Sequence, residues 1–245
     1  MKLFDCNCSF GESARPPFRY ARSASELLKE MDYCGIDRAL VHHSGMRFGS
    51  PVIWNAQLLS GIKGHPRLEP TWAILPHQTG EQLPPKKFIA AMRENGIRSL
   101  WAFPEEHRYR LDRRTFGSLL HELVVGKIPL FVKQNIAAIG DLLADFPQLT
   151  VVAVNQGPHS IERYLRPLVE AFPRLYLDTS YYIVEGLIEE FCALYGHQRL
   201  LFGTAFPDNC SGAALLRLVQ ADIDDKAKSA IASGNLERIL KEADV

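Results

Sequence analysis

Short apolar runs alternate with amphipathic stretches along the whole chain. An apolar run of roughly four to eight residues bounded by Gly or Pro predicts a buried strand, and apolar residues three and four apart predict a helix packed on one face. On this basis strands are expected at Lys2–Asn7, Asp37–His42, Thr71–Leu75, Ile97–Phe103, Ile128–Lys133, Thr150–Val154 and Leu175–Asp178, and in the stretch from Leu200 to Pro207. Helices are expected between them. The first, over about Ser25–Tyr33, has Ser23 or Ser25 to cap it, Glu26 at its positive end and Gly35 to stop it. Later helices are expected near Val52–Ile62, Lys86–Glu94, Arg114–Val125, Ile139–Phe146, Ser160–Phe172 and Val184–Tyr195, with Asn95-Gly96, Gly126, Pro147, Pro173 and Gly196 as breakers. After Pro207 the pattern is helical only, in three pieces ending near Glu242.

Strands that alternate with helices predict βαβ units and a parallel sheet. Eight of them in one chain of 245 residues predict an α/β fold of the (β/α)8 TIM-barrel type, a single domain over residues 1–245. Right-handed crossovers then bring the C-terminal ends of all strands to one mouth.

Composition narrows the function classes. The 28 basic and 28 acidic residues cancel, so no global field favours nucleic acid or an anionic membrane. No apolar run approaches the length of a membrane helix, and none near the N-terminus resembles a secretory segment. Five cysteines without a regular frame fit reduced thiols in a cytoplasm. No cofactor, nucleic acid or membrane is expected as a partner.

With a strand period of two, Asp5, Asn7 and Ser9 share one face and Cys6 and Cys8 the other; Phe131 pairs with Lys133, Ala153 with Asn155 and Gly203 with Ala205. These words resemble the amidohydrolase superfamily, in its amidohydrolase-2 branch of barrel hydrolases and decarboxylases. That family opens on Asp-x-His-x-His, where this chain has Asp5-Cys6-Asn7-Cys8-Ser9. It ends its fifth strand in His, where Lys133 stands, and its sixth in His-x-Gly-Gly, where Asn155-Gln156-Gly157-Pro158 stands. It ends its eighth in Phe-Gly-Ser/Thr-Asp-x-Pro, where Phe202-Gly203-Thr204-Ala205-Phe206-Pro207 stands. The resemblance spans the chain, and each departure falls on a position that binds metal in the family. Asn and Ser offer weak neutral oxygens, Ala offers no donor and Lys repels a cation, so a degenerate site without metal is expected. The resemblance also leaves room for a homodimer paired through helices.

The remaining candidates carry a chemical and a structural reading each. Lys133 is a candidate catalytic amine, an anion binder, or a counter-ion to Asp5 or Asp178. His42 and His43 end the second strand, one expected toward the mouth as a proton shuttle and the other away. Asp178 is a candidate catalytic acid or a brace for its loop. Trp101 can stack on a ligand or fill the core. Cys6 and Cys8 are expected as buried small hydrophobes, Glu105 to Arg108 as a solvated loop, Arg47 to Ser50 as a loop over the mouth, and His159 as a mouth residue or a helix cap.

The expected ligand is a small polar or carboxylated molecule held by Asn7, Ser9, Trp101, Lys133 and Asn155. Three function classes follow: a metal-free binder of a small molecule or protein partner, a metal-dependent hydrolase or decarboxylase recruiting His42, His43 or His159, and a metal-free enzyme using Lys133 or a histidine.

Overall fold

The computed structural model describes residues 1–12, 17–157 and 161–245; His159 lies outside them. The strands are β1 (Phe4–Phe10), β2 (Arg38–His43), β3 (Leu68–Pro70), β4 (Trp72–Ala73), β5 (Leu100–Ala102), β6 (Leu130–Val132), β7 (Val151–Ala153), β8 (Leu175–Asp178) and β9 (Leu200–Leu201). All neighbours pair in parallel, as β1-β2-β3 and as β4-β5-β6-β7-β8-β9.

Backbone hydrogen bonds join these two groups at both seams. β3 and β4 are one stave that changes partner at Thr71: the Thr71 N–H donates to Val41 O at 3.1 Å, and the Trp72 N–H to Ser99 O at 3.4 Å. At the other seam Cys6 N–H donates to Phe202 O and Ser9 N–H to Phe206 O, both at 2.9 Å. The nine segments thus make the eight staves of a (β/α)8 barrel, with β1 set against the last strand. Register also slips between Asp5 and Cys8 on β1, a bulge that turns the end of this strand into the mouth.

β8 coincides with its expected range, β2 lies one residue later, and β1 starts and ends later than Lys2–Asn7, while other ladders are shorter than their apolar runs; β7, for example, covers Val151–Ala153 of the expected Thr150–Val154. The helices lie close to expectation. In the first, Ala24–Cys34, Ser23 is the cap that accepts the Glu26 N–H, Gly35 closes the end at φ 69, and Ala24, Leu27 and Met31 form the buried stripe. Burying Leu27 and Met31 stabilises this packing by about 1.5–3 kcal/mol each. The expected helix over Asp224–Ala232 is instead a short helix, Asp225–Ser229, running into a widened π turn, Ala230–Gly234. The reason lies in the sheet: the Ile231 carbonyl in that turn accepts the Phe202 N–H at 2.9 Å, tying the C-terminal helices to the closing strand. No helix among the described residues is long and apolar enough to cross a membrane.

Candidate functional site

The strand ends open on a cavity of about 40 Å³, space for a few water molecules. Its walls include Asn7 and Ser9 from β1, His42 from β2, Trp101 and Phe103 at β5, and Lys133, Asn155 and Ala205 just past the ends of later strands. Arg47, Phe48 and Asp208 close its rim. The period-two reading therefore brings Asn7, Ser9, His42, Trp101, Lys133 and Asn155 to one place. Asp178 is not among the cavity walls.

Two chemically different sets of groups meet here. The first is a buried hydrogen-bond network. Asn7 Nδ2 donates to Asn155 Oδ1 at 2.8 Å and to Asp178 Oδ2 at 2.5 Å, and Ser180 Oγ donates to the same Asp178 oxygen at 2.8 Å. The Ser180 N–H caps the other oxygen of Asp178. Burial raises the Asp178 carboxyl above the ordinary range, opposed by these hydrogen bonds from Ser180 and Asn7. Asp178 thus braces its own loop, with its oxygens accepting from Asn7 and Ser180 inside the wall. Beneath it Asp5 accepts from Asn7 N–H at 2.9 Å, Thr204 N–H at 3.0 Å and Thr204 Oγ1 at 2.6 Å. Burial pushes the Asp5 carboxyl up to about 7 in spite of these donors. Gly203 permits this close fit, since a Cβ there would lie 2.7 Å from Asp178 Oδ1 and 3.1 Å from Cys6 Sγ. Cys6 and Cys8 are both buried in the core.

The second set is ionic and aromatic. Lys133 Nζ donates to Glu106 Oε1 at 2.6 Å, and Arg47 Nε donates to the same oxygen at 2.8 Å. The partner of Lys133 is therefore Glu106, and not Asp5 or Asp178, whose oxygens are taken by Thr204, Asn7 and Ser180. The expectation of a solvated loop over Glu105–Arg108 is corrected likewise: Glu106 and His107 are half-buried, with Glu105 and Arg108 outside. Burial works to raise the Glu106 carboxyl, and the hydrogen bonds from Lys133 and Arg47 outweigh it and hold it low. Arg47 also reaches Asp208 Oδ2 at 2.5 Å through Nη1.

His42 and His43 point in opposite directions. His43 stacks on Trp54 at 4.3 Å and accepts the Gly45 N–H on Nδ1 at 3.0 Å, away from the cavity. His42 lies on Trp101, ring centroids 4.5 Å apart, and faces the cavity. Burial pushes its imidazole down to about 3, with the charges of Arg47, His43 and Lys133 adding to the effect. Burial thus favours the neutral ring, which presents a hydrogen-bonding group to the cavity. Trp101 is packed between Phe103 and Phe131, each at 5.4 Å, while lining the cavity. His42 Nδ1, Trp101 Nε1 and Glu106 Oε2 are buried without a hydrogen-bond partner. Of these, among the described residues, the atoms of His42 and Trp101 belong to cavity-lining side chains and mark where a ligand's polar groups would be satisfied.

The amidohydrolase family profile matches residues 54–241, more than half of the chain. The chain belongs to the amidohydrolase family. Its fold is shared by a TIM-barrel protein from Bordetella bronchiseptica, at 20% identity and TM-score 0.71, with 99% of each chain covered. It is also shared by a 5-carboxyvanillate decarboxylase from Sphingomonas paucimobilis, at 14% identity and TM-score 0.78, covering 98% of this chain and 99% of that one. A dihydroxybenzoic acid decarboxylase from Polaromonas sp., solved with manganese and the inhibitor 2-nitroresorcinol, is similar at 14% identity and TM-score 0.75, covering 98% and 97%. No protein of curated function matches the sequence.

The metal that the family resemblance implies does not fit the groups present. Asn7 and Asn155 are hydrogen-bonded to each other, Lys133 is a cation, and Ala205 has only a methyl. Among the described residues no group of three or more His, Cys, Asp or Glu side chains is placed to hold a metal ion. The backbone at this last position nevertheless keeps an unusual bend: Ala205 has φ 52 and Asn155 φ 54, the left-handed region that Asn and Asp tolerate better than Ala.

Arg47, Glu106 and Asp208 complete the site. Sequence spacing placed Arg47 in a loop over the mouth, but Glu106 and Asp208 carried no periodic signal. Their only mark is position, a few residues past the ends of strands that face the cavity.

Proposed function

We propose that this amidohydrolase-family barrel works without a divalent metal and binds a small polar or carboxylated ligand at its mouth. One observation carries the reading. Two amides, a hydroxyl, an ammonium and a methyl stand where the family pattern calls for imidazoles and a carboxylate, while unpartnered polar atoms surround the same cavity. In this reading Lys133 and Arg47 attract an anionic group, Trp101 and Phe103 give an apolar wall, and Trp101 Nε1 and the neutral His42 are open to a ligand's oxygens or hydroxyls. Asn7, Ser9 and Asn155 form the floor.

The test is a thermal-shift screen of carboxylates and sugar acids on the wild type and Lys133→Ala. Stabilisation of the wild type that Lys133→Ala abolishes is expected; an equal, flat response of both proteins would refute a mouth ligand.

A second reading, a metal-dependent decarboxylase or hydrolase, is favoured by family membership and by the decarboxylase activities named for two of the similar structures. Elemental analysis separates the two. Zinc or manganese at one equivalent after dialysis supports the second reading and overturns the first. A metal-free enzyme using Lys133 as a Schiff-base amine requires that amine to leave Glu106; borohydride trapping with carbonyl compounds would detect it as an adduct on Lys133.

A further inference from the structure

Two carboxylates hold Arg47, and they occupy different places. Glu106 stands outside the cavity lining, its side chain 15% exposed, and its Oε1 is shared by Arg47 and Lys133. Asp208 lines the cavity, its side chain is 37% exposed, and among the described residues its ion pair is with the Nη1 arm of Arg47. Arg47 belongs to a one-turn helix after β2, Gly45–Phe48, where a loop was expected from Arg47 to Ser50, and Asp208 follows Pro207 after β9. Their contact therefore links these two segments across the rim, above a space that admits a few waters.

Resting on the ligand reading above, we infer that Asp208 is a displaceable gate: a ligand carboxylate takes the Nη1 arm of Arg47 from it, while Glu106 keeps Arg47 and Lys133 turned toward the cavity. The energetics separate the two acids. Pulling Glu106 away would strip two partly buried cations of one shared partner, which is costly. Releasing Asp208 frees an exposed carboxylate into water, and an exposed ion pair contributes little to begin with. The exchange swaps one ion pair for another at Arg47 and adds what Asp208 does not have: a second cation at Lys133 and apolar contact with Trp101 and Phe103. Asp208 also repels anions that cannot make those additional contacts, so it sets a threshold for which carboxylates enter. Glu106 is a positioning residue, since it does not touch the cavity.

Opposite signs for two acids on one arginine make this testable by calorimetric titration with benzoate, malonate and the neutral benzamide. Asp208→Asn is expected to bind the two carboxylates about tenfold tighter than the wild type, and Glu106→Gln about tenfold more weakly, with benzamide changed less than twofold. Glu106→Asp keeps the charge but shortens its reach, and it is expected to weaken carboxylate binding likewise should Gln impair folding. Carboxylate binding by Asp208→Asn that equals or falls below the wild type overturns the gate and leaves the ligand reading standing. Tighter binding by both the Asp208 and Glu106 variants overturns the division of roles. Absence of carboxylate binding to every one of these proteins overturns the ligand reading, and the gate with it.

Discussion

On the side of the mouth built by β1, β7, β8 and β9, polar side chains answer one another: Asn7 with Asn155 and Asp178, Asp178 with Ser180, and Asp5 with Thr204. On the side built by β2, β5 and β6, His42, Trp101 and Glu106 each keep a buried atom without a partner, and two cations crowd one carboxylate. The first side is where the family pattern calls for metal ligands; here it has become structural wall. The second has the cations and, at the cavity wall, the unpartnered atoms of His42 and Trp101. Positions that the family pattern gives to metal ligands can therefore carry amides hydrogen-bonded into the framework, and unmet hydrogen-bonding capacity then lies where internal partners are missing.

The strongest way to break this contrast is to cut the self-satisfied side. Asp178→Ala removes the acceptor of Asn7 and Ser180 and leaves buried donors unpaired, and it is expected to cost about 3 kcal/mol of stability in urea unfolding. A loss under about 1 kcal/mol would mean that the network is not structural.

The next test uses pH on the opposite side. Burial pushes the folded His42 imidazole down to about 3 from its ordinary value of about 6.5. Between these values the unfolded chain holds more protons, so stability falls as pH falls through that window. From pH 7 to pH 5 the wild type should lose about 2 kcal/mol relative to His42→Phe, read as the difference between their unfolding free energies. Asp5, with its folded value raised to about 7, runs the other way: it adds stability at low pH that is lost as pH rises through that value. Because Asp5 is present in both proteins, the difference between them isolates His42.

A smaller effect separates binding from folding. Lys133→Ala should change stability by less than about 1 kcal/mol, since its ion pair is partly exposed, and weaken carboxylate binding about tenfold. Equal losses in both would erase the distinction between the two sides. The smallest effect is on the backbone. Ala205→Gly relieves a left-handed residue on the wall side and should stabilise by about 1 kcal/mol in thermal unfolding.

How far these features were legible in the sequence follows from the range of the interactions. Strand and helix placement depends on neighbours three or four residues away, so Ser23, Gly35 and the strand that ends at Asp178 could be located directly. Strand alternation put Asn7, Ser9, Lys133 and Asn155 on mouth-facing positions, because a period of two survives whatever the loops do. The partner of Lys133 was not legible. Glu106 and Lys133 are 27 positions apart and come together only through the loop conformations after β5 and β6. His42 facing in and His43 facing out follows from alternation, but the neutrality of His42 depends on burial under Trp101 and beside Arg47, which no local pattern encodes.

The seam between β1 and β9 has a consequence for how the molecule is made. The hydrogen bonds from Cys6 to Phe202 and from Ser9 to Phe206 cross nearly the whole length of the chain. Asn7 and Ser9 are separated from Phe206 and Asp208 by most of the chain, so the rim around them is complete only once the last strand has paired with the first.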